Sequence, residues 1–253
     1  MLTFSLQSGS NGNSIYVEAD GVRLLFDAGL SGALAAERLA ARGRDIRDVT
    51  ALVLSHEHDD HVRGAGVFQR KFGIPIWITR RTLRRSAALI GPVSDVRHFT
   101  AGERIEFGPV RVFTVPTPHD AAEPVCFVIE HAGRRLGILT DLGHPFRALP
   151  RILEDLDAAY LESNYDPEML AAGPYPAALK ARIRGQHGHL SNEESAALSA
   201  RAARSRLGWI AAAHLSEVNN EPERALDAHR RGIGRTFPVH LASRYAVGDV
   251  LEI

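Results

Sequence analysis

The run His-Glu-His-Asp-Asp-His at 56–61 constrains this chain more than any other segment. It follows ALVLS at 51–55, an apolar stretch that reads as a short buried strand, and it precedes a helical stretch around 63–72. His56 and His58 are one residue apart and can reach the same ion from an extended loop. Asp60 and His61 are adjacent, and their side chains diverge enough to serve a second ion. Nitrogen plus carboxylate ligation suits zinc, manganese or iron. The bland alternative is a polar surface loop, and four ligand-type residues in this order after a strand weigh against it.

The rest of the chain supplies a frame for that loop. NSIYVEA and VRLLFDAG read as strands joined at Asp20-Gly21. Residues 31–43 have helical periodicity and stop at Gly43; PIWIT is a strand and 80–90 an Arg-rich helix. Residues 104–115, 124–131 and 134–140 read as consecutive strands, the last two joined at Ala132-Gly133. Helix 147–155 and strand AAYLE follow, then helices at 176–184 and 192–206, the strand LGWIAAA and a helix at 222–231. No repeat, low-complexity tract or linker is present. This order suits two mixed sheets packed face to face with helices outside, in one domain over 1–253.

Composition bounds the partners. Hydrophobic residues make up 45% and charged residues 24% of 253, and net charge is zero, so no global field announces a nucleic-acid or membrane partner. Cys126, the lone cysteine, excludes an internal disulfide and fits a reducing compartment. MLTFSLQSGS lacks a basic n-region and a long apolar h-region, and no apolar stretch is long enough to span a bilayer. The expectation is a cytoplasmic protein.

HEHDDH matches the HxHxDH motif of the metallo-β-lactamase superfamily, which the chain resembles over essentially its whole length. The resemblance implies a four-layer αββα sandwich of the α/β class. It also implies three further ligands at strand ends, for which His119 in TVPTPHD, Asp141 in LGILTD and His214 in WIAAAHLS fit. On that pattern His56, His58 and His119 hold one ion, Asp60, His61 and His214 the other, and Asp141 bridges them. Two cations about 3.5–4 Å apart can bridge a water and lower its pKa from about 15.7 toward 7, giving a hydroxide for attack on carbonyl or phosphorus. Asp60 can steer that water. Asp27, ending LLFDAG, is a candidate to orient a ligating histidine, or equally a turn cap.

Which hydrolase is a matter of residues outside the metal motif. SGSNGNS at 8–14, ESNYD at 162–166, GPYP at 173–176 with LKARI, GHLSN at 188–192 and HLSEVNN at 214–220 together resemble the YycJ/WalJ family. That resemblance implies a 5′→3′ exonuclease on DNA; Asp59 departs from the family's usual small polar residue. In GHLSN, Ser191 and Glu194 form a capping-box pattern, and a helix N-terminus is an anion site. His189 just before it is a candidate to contact phosphate or protonate the leaving oxygen. Ser191 and Asn192, with Ser10, Asn11 and Asn13 from SGSNGNS, are the candidate substrate contacts; a plain hairpin turn is the equal alternative for the latter segment. RRTLRR at 80–85 reads first as a solvated Arg-rich face. His98, His131, His187, His229 and His240 read as structural or surface histidines, and His144 is not required. The rival functions are a PhnP-like small-molecule phosphodiesterase, a lactonase or thioesterase, and a non-catalytic scaffold.

Overall fold

A computed structural model describes residues 1–253. In the first sheet, β1 (Leu2–Gln7), β2 (Ser14–Ala19) and β3 (Val22–Phe26) form an antiparallel meander. β4 (Ala51–Val53), β5 (Ile76–Ile78) and β6 (Val96–His98) extend it in parallel. In the second, β7 (Arg104–Phe107), β8 (Val110–Pro116), β9 (Val125–His131) and β10 (Arg134–Leu139) are antiparallel. β11 (Ala158–Glu162), β12 (Trp209–Ala213) and β13 (Val239–Leu241) continue in parallel. β14 (Leu251–Glu252) returns to pair with β1, so each sheet has seven strands.

The strands are apolar on both faces because both faces are covered, and their period-two alternation divides the core. Ile15, Val17, Leu24, Phe26, Phe127, Ile129, Leu136 and Ile138 pack between the sheets. The intervening Tyr16, Leu25 and Leu52 face α1 (Gly32–Ala40), α3 (Ala65–Phe72) and α4 (Arg80–Ile90). Val128, Ala159 and Leu161 face the second helical layer, with α5 (Leu149–Glu154) and α8 (Asn192–Ala202). The result is the expected four-layer αββα arrangement, with α9 (Pro222–Ile233) beside α8.

Several elements differ from the sequence reading. β1 is additional: LTFSLQ alternates apolar and polar residues as a strand does, and its polar Thr3, Ser5 and Gln7 are buried as well as its apolar face. Thr3 Oγ1 donates to the Tyr16 carbonyl at 2.7 Å, and Gln7 Oε1 accepts from Arg38 at 2.6 Å. The single strand over 104–115 is a hairpin, broken at Gly108 with φ of 56°. β6, β13, β14 and α6 (Pro167–Ala172) are additional, and the helix from 192 ends at Ala202 rather than 206. Before α3, a separate short helix, α2 (Asp59–Val62), carries the second half of HEHDDH.

The pairings bring the carboxyl ends of β1, β3, β4, β8, β10, β11 and β12 to one edge of the sandwich. SGSNGNS, Asp27, HEHDDH, His119, Asp141, ESNYD and His214 each stand at or just past one of those ends. Gly29 lets the loop after β3 back onto HEHDDH, since a Cβ there would lie 1.6 Å from the Asp60 carbonyl oxygen. No helix is long and apolar enough to cross a membrane.

Candidate metal centre and active-site cavity

Asp27, Asp141 and His214 occupy left-handed backbone, with φ of 65°, 58° and 56°, just past β3, β10 and β12. The other non-glycine residues in this region, Asp20 and Ala132, lie in tight hairpin turns. Left-handed backbone is uncommon outside glycine, Asp and His adopt it more readily than most residues, and it persists where surrounding structure holds it. Here it turns each side chain back over the strand ends, toward the HEHDDH loop.

Each of five histidines is tied through one ring nitrogen to a protein acceptor. His61 Nδ1 donates to Asp27 Oδ2 at 2.8 Å. Ser55 Oγ donates to the same oxygen at 2.8 Å and lies 2.9 Å from His56 Nδ1. His58 Nε2 donates to the Asp120 carbonyl at 3.0 Å, and His119 Nδ1 to the Gly188 carbonyl at 2.9 Å. His214 Nδ1 donates to Glu162 Oε1 at 3.0 Å. These bonds fix the tautomers and aim the remaining nitrogens inward as lone pairs.

The inward nitrogens meet one another and two carboxylates. His58 Nδ1 and His119 Nε2 are 3.3 Å apart. His214 Nε2 lies 3.3 Å and His61 Nε2 3.4 Å from Asp60 Oδ2, and Asp141 Oδ2 is 3.3 Å from His61 Nε2. Donor atoms within 4.8 Å of one another form the sets His56, His58, His119 and Asp60, His61, His214; a third set joins His56, His61 and Asp141. Buried His56 Nε2 and Asp141 Oδ2 accept no hydrogen bond. Orphaned buried acceptors are costly, and a cation among these atoms would satisfy both. The donor set therefore suits divalent metal ions.

Electrostatics match that reading. Burial opposes charge on His214, but Asp141, Asp60 and Glu162 outweigh it and raise its pKa to about 10. Burial is likewise overcome at His61, which Asp60, Asp141 and Asp27 hold well above the usual range. His119, on the other side, is pushed down to about 4 chiefly by burial. Asp60 is held well below the carboxylate range despite burial, by His61 and His214. A divalent cation would compete with the protons these carboxylates favour, so metal binding releases protons.

The sequence reading missed Glu162. It is fully buried at the end of β11 and makes four contacts. Oε1 accepts from His189 Nδ1 at 2.8 Å and from His214 Nδ1; Oε2 accepts from the Leu142 and Leu190 amides at 3.0 and 3.2 Å. Although burial opposes its ionisation, His189 and His214 keep it well below its ordinary range. Glu162 ends the buried strand AAYLE, the same placement the superfamily pattern gave Asp141 and His214.

A cavity of about 250 Å³ opens over this cluster, with His58, Asp60, His119, Asp141, His189 and His214 among its lining residues. His189 Nδ1 is held by Glu162, which leaves Nε2 as its free ring nitrogen at the cavity. The proposed substrate contacts divide. Ser10 lines the cavity, its hydroxyl accepting from Arg244 at 3.0 Å. Asn13 is buried behind Asp60, donating to its Oδ2 at 3.1 Å, and Asn11 turns toward the Arg244 carbonyl. Ser191 caps α8 in a closed box with Glu194, and Asn192 makes a reciprocal 2.9 Å amide pair with Asn220. Neither reaches the cavity: the Glu194 carboxylate already occupies the anion-binding position at that helix start. Asp59 is exposed and pairs with Arg63. Buried His229 bonds only to serines, whereas His187 joins the cavity lining.

Known proteins resemble this chain in sequence and in fold. A family model described as the metallo-beta-lactamase superfamily matches residues 8–183. Exodeoxyribonuclease YycJ of Bacillus anthracis is 35% identical over 244 residues, covering 93% of this chain and 92% of that protein. Exodeoxyribonuclease WalJ of Streptococcus pneumoniae serotype 2 is 36% identical over 259 aligned positions, covering 98% and 96%. The metallo-beta-lactamase fold protein YhfI from Bacillus subtilis superposes with a TM-score of 0.77 at 15% identity, covering 100% and 99%, a likeness of fold. With its strand-end histidines and aspartates, its two seven-stranded sheets and relatives matching over nearly their full length, the chain belongs to the metallo-β-lactamase superfamily and, within it, to the YycJ/WalJ family.

Proposed function

We propose that this metal-dependent hydrolase is a phosphodiesterase that degrades DNA from a 5′ end, working in the cytoplasm as one domain over 1–253. The observation that carries the reading is the pairing of His189 with Glu162 at the cavity, beside the inward ring nitrogens. Two divalent ions, zinc or manganese, would be held by His56, His58 and His119 on one side and Asp60, His61 and His214 on the other, with Asp141 shared. They would supply Lewis-acid charge stabilisation and a nucleophile at neutral pH. The chain's own residues then divide the remaining work. Asp27 and Glu162 fix the orientation of His61 and His214. Asp60, held ionised, is placed to orient the attacking water. His189, its Nδ1 donated to Glu162, presents Nε2 to the cavity, where it can protonate the leaving oxygen. The attacking water's oxygen forms a P–O bond as the P–O bond to the sugar breaks, and the water gives up a proton to solvent. His189, as imidazolium with Nδ1–H held by Glu162, gives its Nε2 proton to the departing sugar oxygen and is reprotonated from solvent.

The relatives named exodeoxyribonuclease support DNA as the substrate. With zero net charge, affinity must come from local groups, so binding should weaken steeply as salt rises. The test uses 5′-phosphorylated, 5′-hydroxyl and 3′-labelled single strands with manganese or zinc. Mononucleotide release from the 5′ end, abolished in His58→Ala, is expected. Intact DNA alongside brisk hydrolysis of a cyclic nucleotide or a lactone would move the protein to a small-molecule class.

A further inference from the structure

The cavity lining is chemically two-sided. Of its fifteen lining residues three are hydrophobic, and all three, Tyr175, Leu179 and Ile183, come from one segment. That segment is α7 (Ala177–Arg184) with the GPYP turn before it. No residue of α7 is buried, so the helix covers no core of its own. Leu179 and Ile183, four apart, share one face, and with Tyr175 they stand half-buried against the cavity. A helix that spends its apolar face on a polar, metal-suited cavity leaves that face for a ligand to cover.

The wall is also fixed in place relative to the metal loop. Arg182 reaches Asp120 Oδ2 through Nε at 2.9 Å and a terminal nitrogen at 2.8 Å. The backbone of Asp120 accepts from His58 and donates to the His187 carbonyl at 3.1 Å. At the other end of α7 the His189 amide donates to the Ile183 carbonyl at 3.0 Å. Gly188 permits that approach, since a Cβ there would lie 2.1 Å from the same oxygen. The wall thus sits at a set distance from both His58 and His189.

We propose that Tyr175, Leu179 and Ile183 form a nucleobase subsite, on which the base of the terminal nucleotide stacks while its phosphodiester lies over the metal cluster. This deepens the nuclease reading and rests on it. A ligand with an anionic end and a flat, weakly polar end fits the two sides. Stacking tolerates every base, because each has a π-face. The subsite therefore favours a base over no base, not one base over another.

The experiment compares 5′-terminal thymidine with a 5′-terminal abasic tetrahydrofuran residue on otherwise identical single strands. The wild-type protein should prefer the base-bearing end by about 10-fold or more in kcat/KM, the range for one stacked base. Tyr175→Ala should bring that ratio to within about threefold of unity, and Tyr175→Phe should keep it. Equal rates on the two ends in the wild type, or equal losses on both in Tyr175→Ala, would overturn the subsite. Calorimetry with dTMP against deoxyribose 5-phosphate reads the same contact without turnover. If no DNA is cleaved yet dTMP binds about 10-fold tighter in a Tyr175-dependent way, the nuclease reading falls and the subsite stands; equal binding of the two would sink it.

Discussion

Replacing Glu162 with Gln keeps the shape of the side chain, removes its charge and turns one acceptor oxygen into an NH₂ donor. The structure leaves the amide no good orientation. With its oxygen toward His189 and His214, its NH₂ faces the Leu142 and Leu190 amides, both of them donors. Turned over, its NH₂ faces His189 Nδ1 and His214 Nδ1 and forces each proton onto Nε2. Two stranded buried donors cost about 2–6 kcal/mol, which for a chain this long lowers the melting temperature by about 4 °C or more. The second orientation takes the inward lone pair from His214, and loss of such a support weakens metal binding about 10–100-fold. The assay is a metal-buffered manganese titration of Glu162→Gln beside thermal melting of the metal-free protein. Wild-type affinity together with wild-type melting would refute the argument that Glu162 holds both histidines.

Other outcomes follow from the same geometry. His189→Ala should retain its metal and slow phosphodiester cleavage by about 10²–10⁴-fold; a loss of metal content instead would make His189 a support rather than a proton donor. Asp141→Ala should lose most activity and bind less metal, and near-wild-type turnover would mean the shared ligand is another residue. His229, pushed down to about 4 by burial, stays neutral when folded, whereas its ordinary value is 6.5. Its contribution is complete above pH 6.5 and is lost as pH falls toward 4, by about 1.4 kcal/mol per unit and about 3 kcal/mol in all. Urea unfolding at pH 6.5 and 4.5 should therefore show a shallower acid loss in His229→Gln, and an unchanged slope would contradict it.

The metal loop was legible because its residues are consecutive and follow an apolar strand. His119, Asp141 and His214 were legible only through the superfamily pattern, since a lone polar residue past a strand has many explanations. The left-handed backbone at Asp141 and His214 could not be foreseen, because Asp and His adopt it in only a minority of their positions and nothing local marks these two. Glu162 was passed over because it closes AAYLE, read only as a strand, and opens ESNYD, read only for its resemblance. Ser191 and Asn192 misled for the opposite reason. Their local pattern, a capping box before a helix, is real, but its Glu194 carboxylate already sits at the helix start, and neither residue lines the cavity. β1 was legible in principle, since LTFSLQ alternates apolar and polar residues, but that segment was weighed only as a possible export signal.

The central claim is that this cluster holds two ions in chosen sets. An anomalous difference map at the manganese edge, from crystals of protein loaded with manganese, tests it most directly. Two peaks about 3.5–4 Å apart are expected, one among His56, His58 and His119, the other among Asp60, His61 and His214, with Asp141 between them. A map with no peak at the cluster after loading, or with its only peaks elsewhere on the protein, would contradict the account.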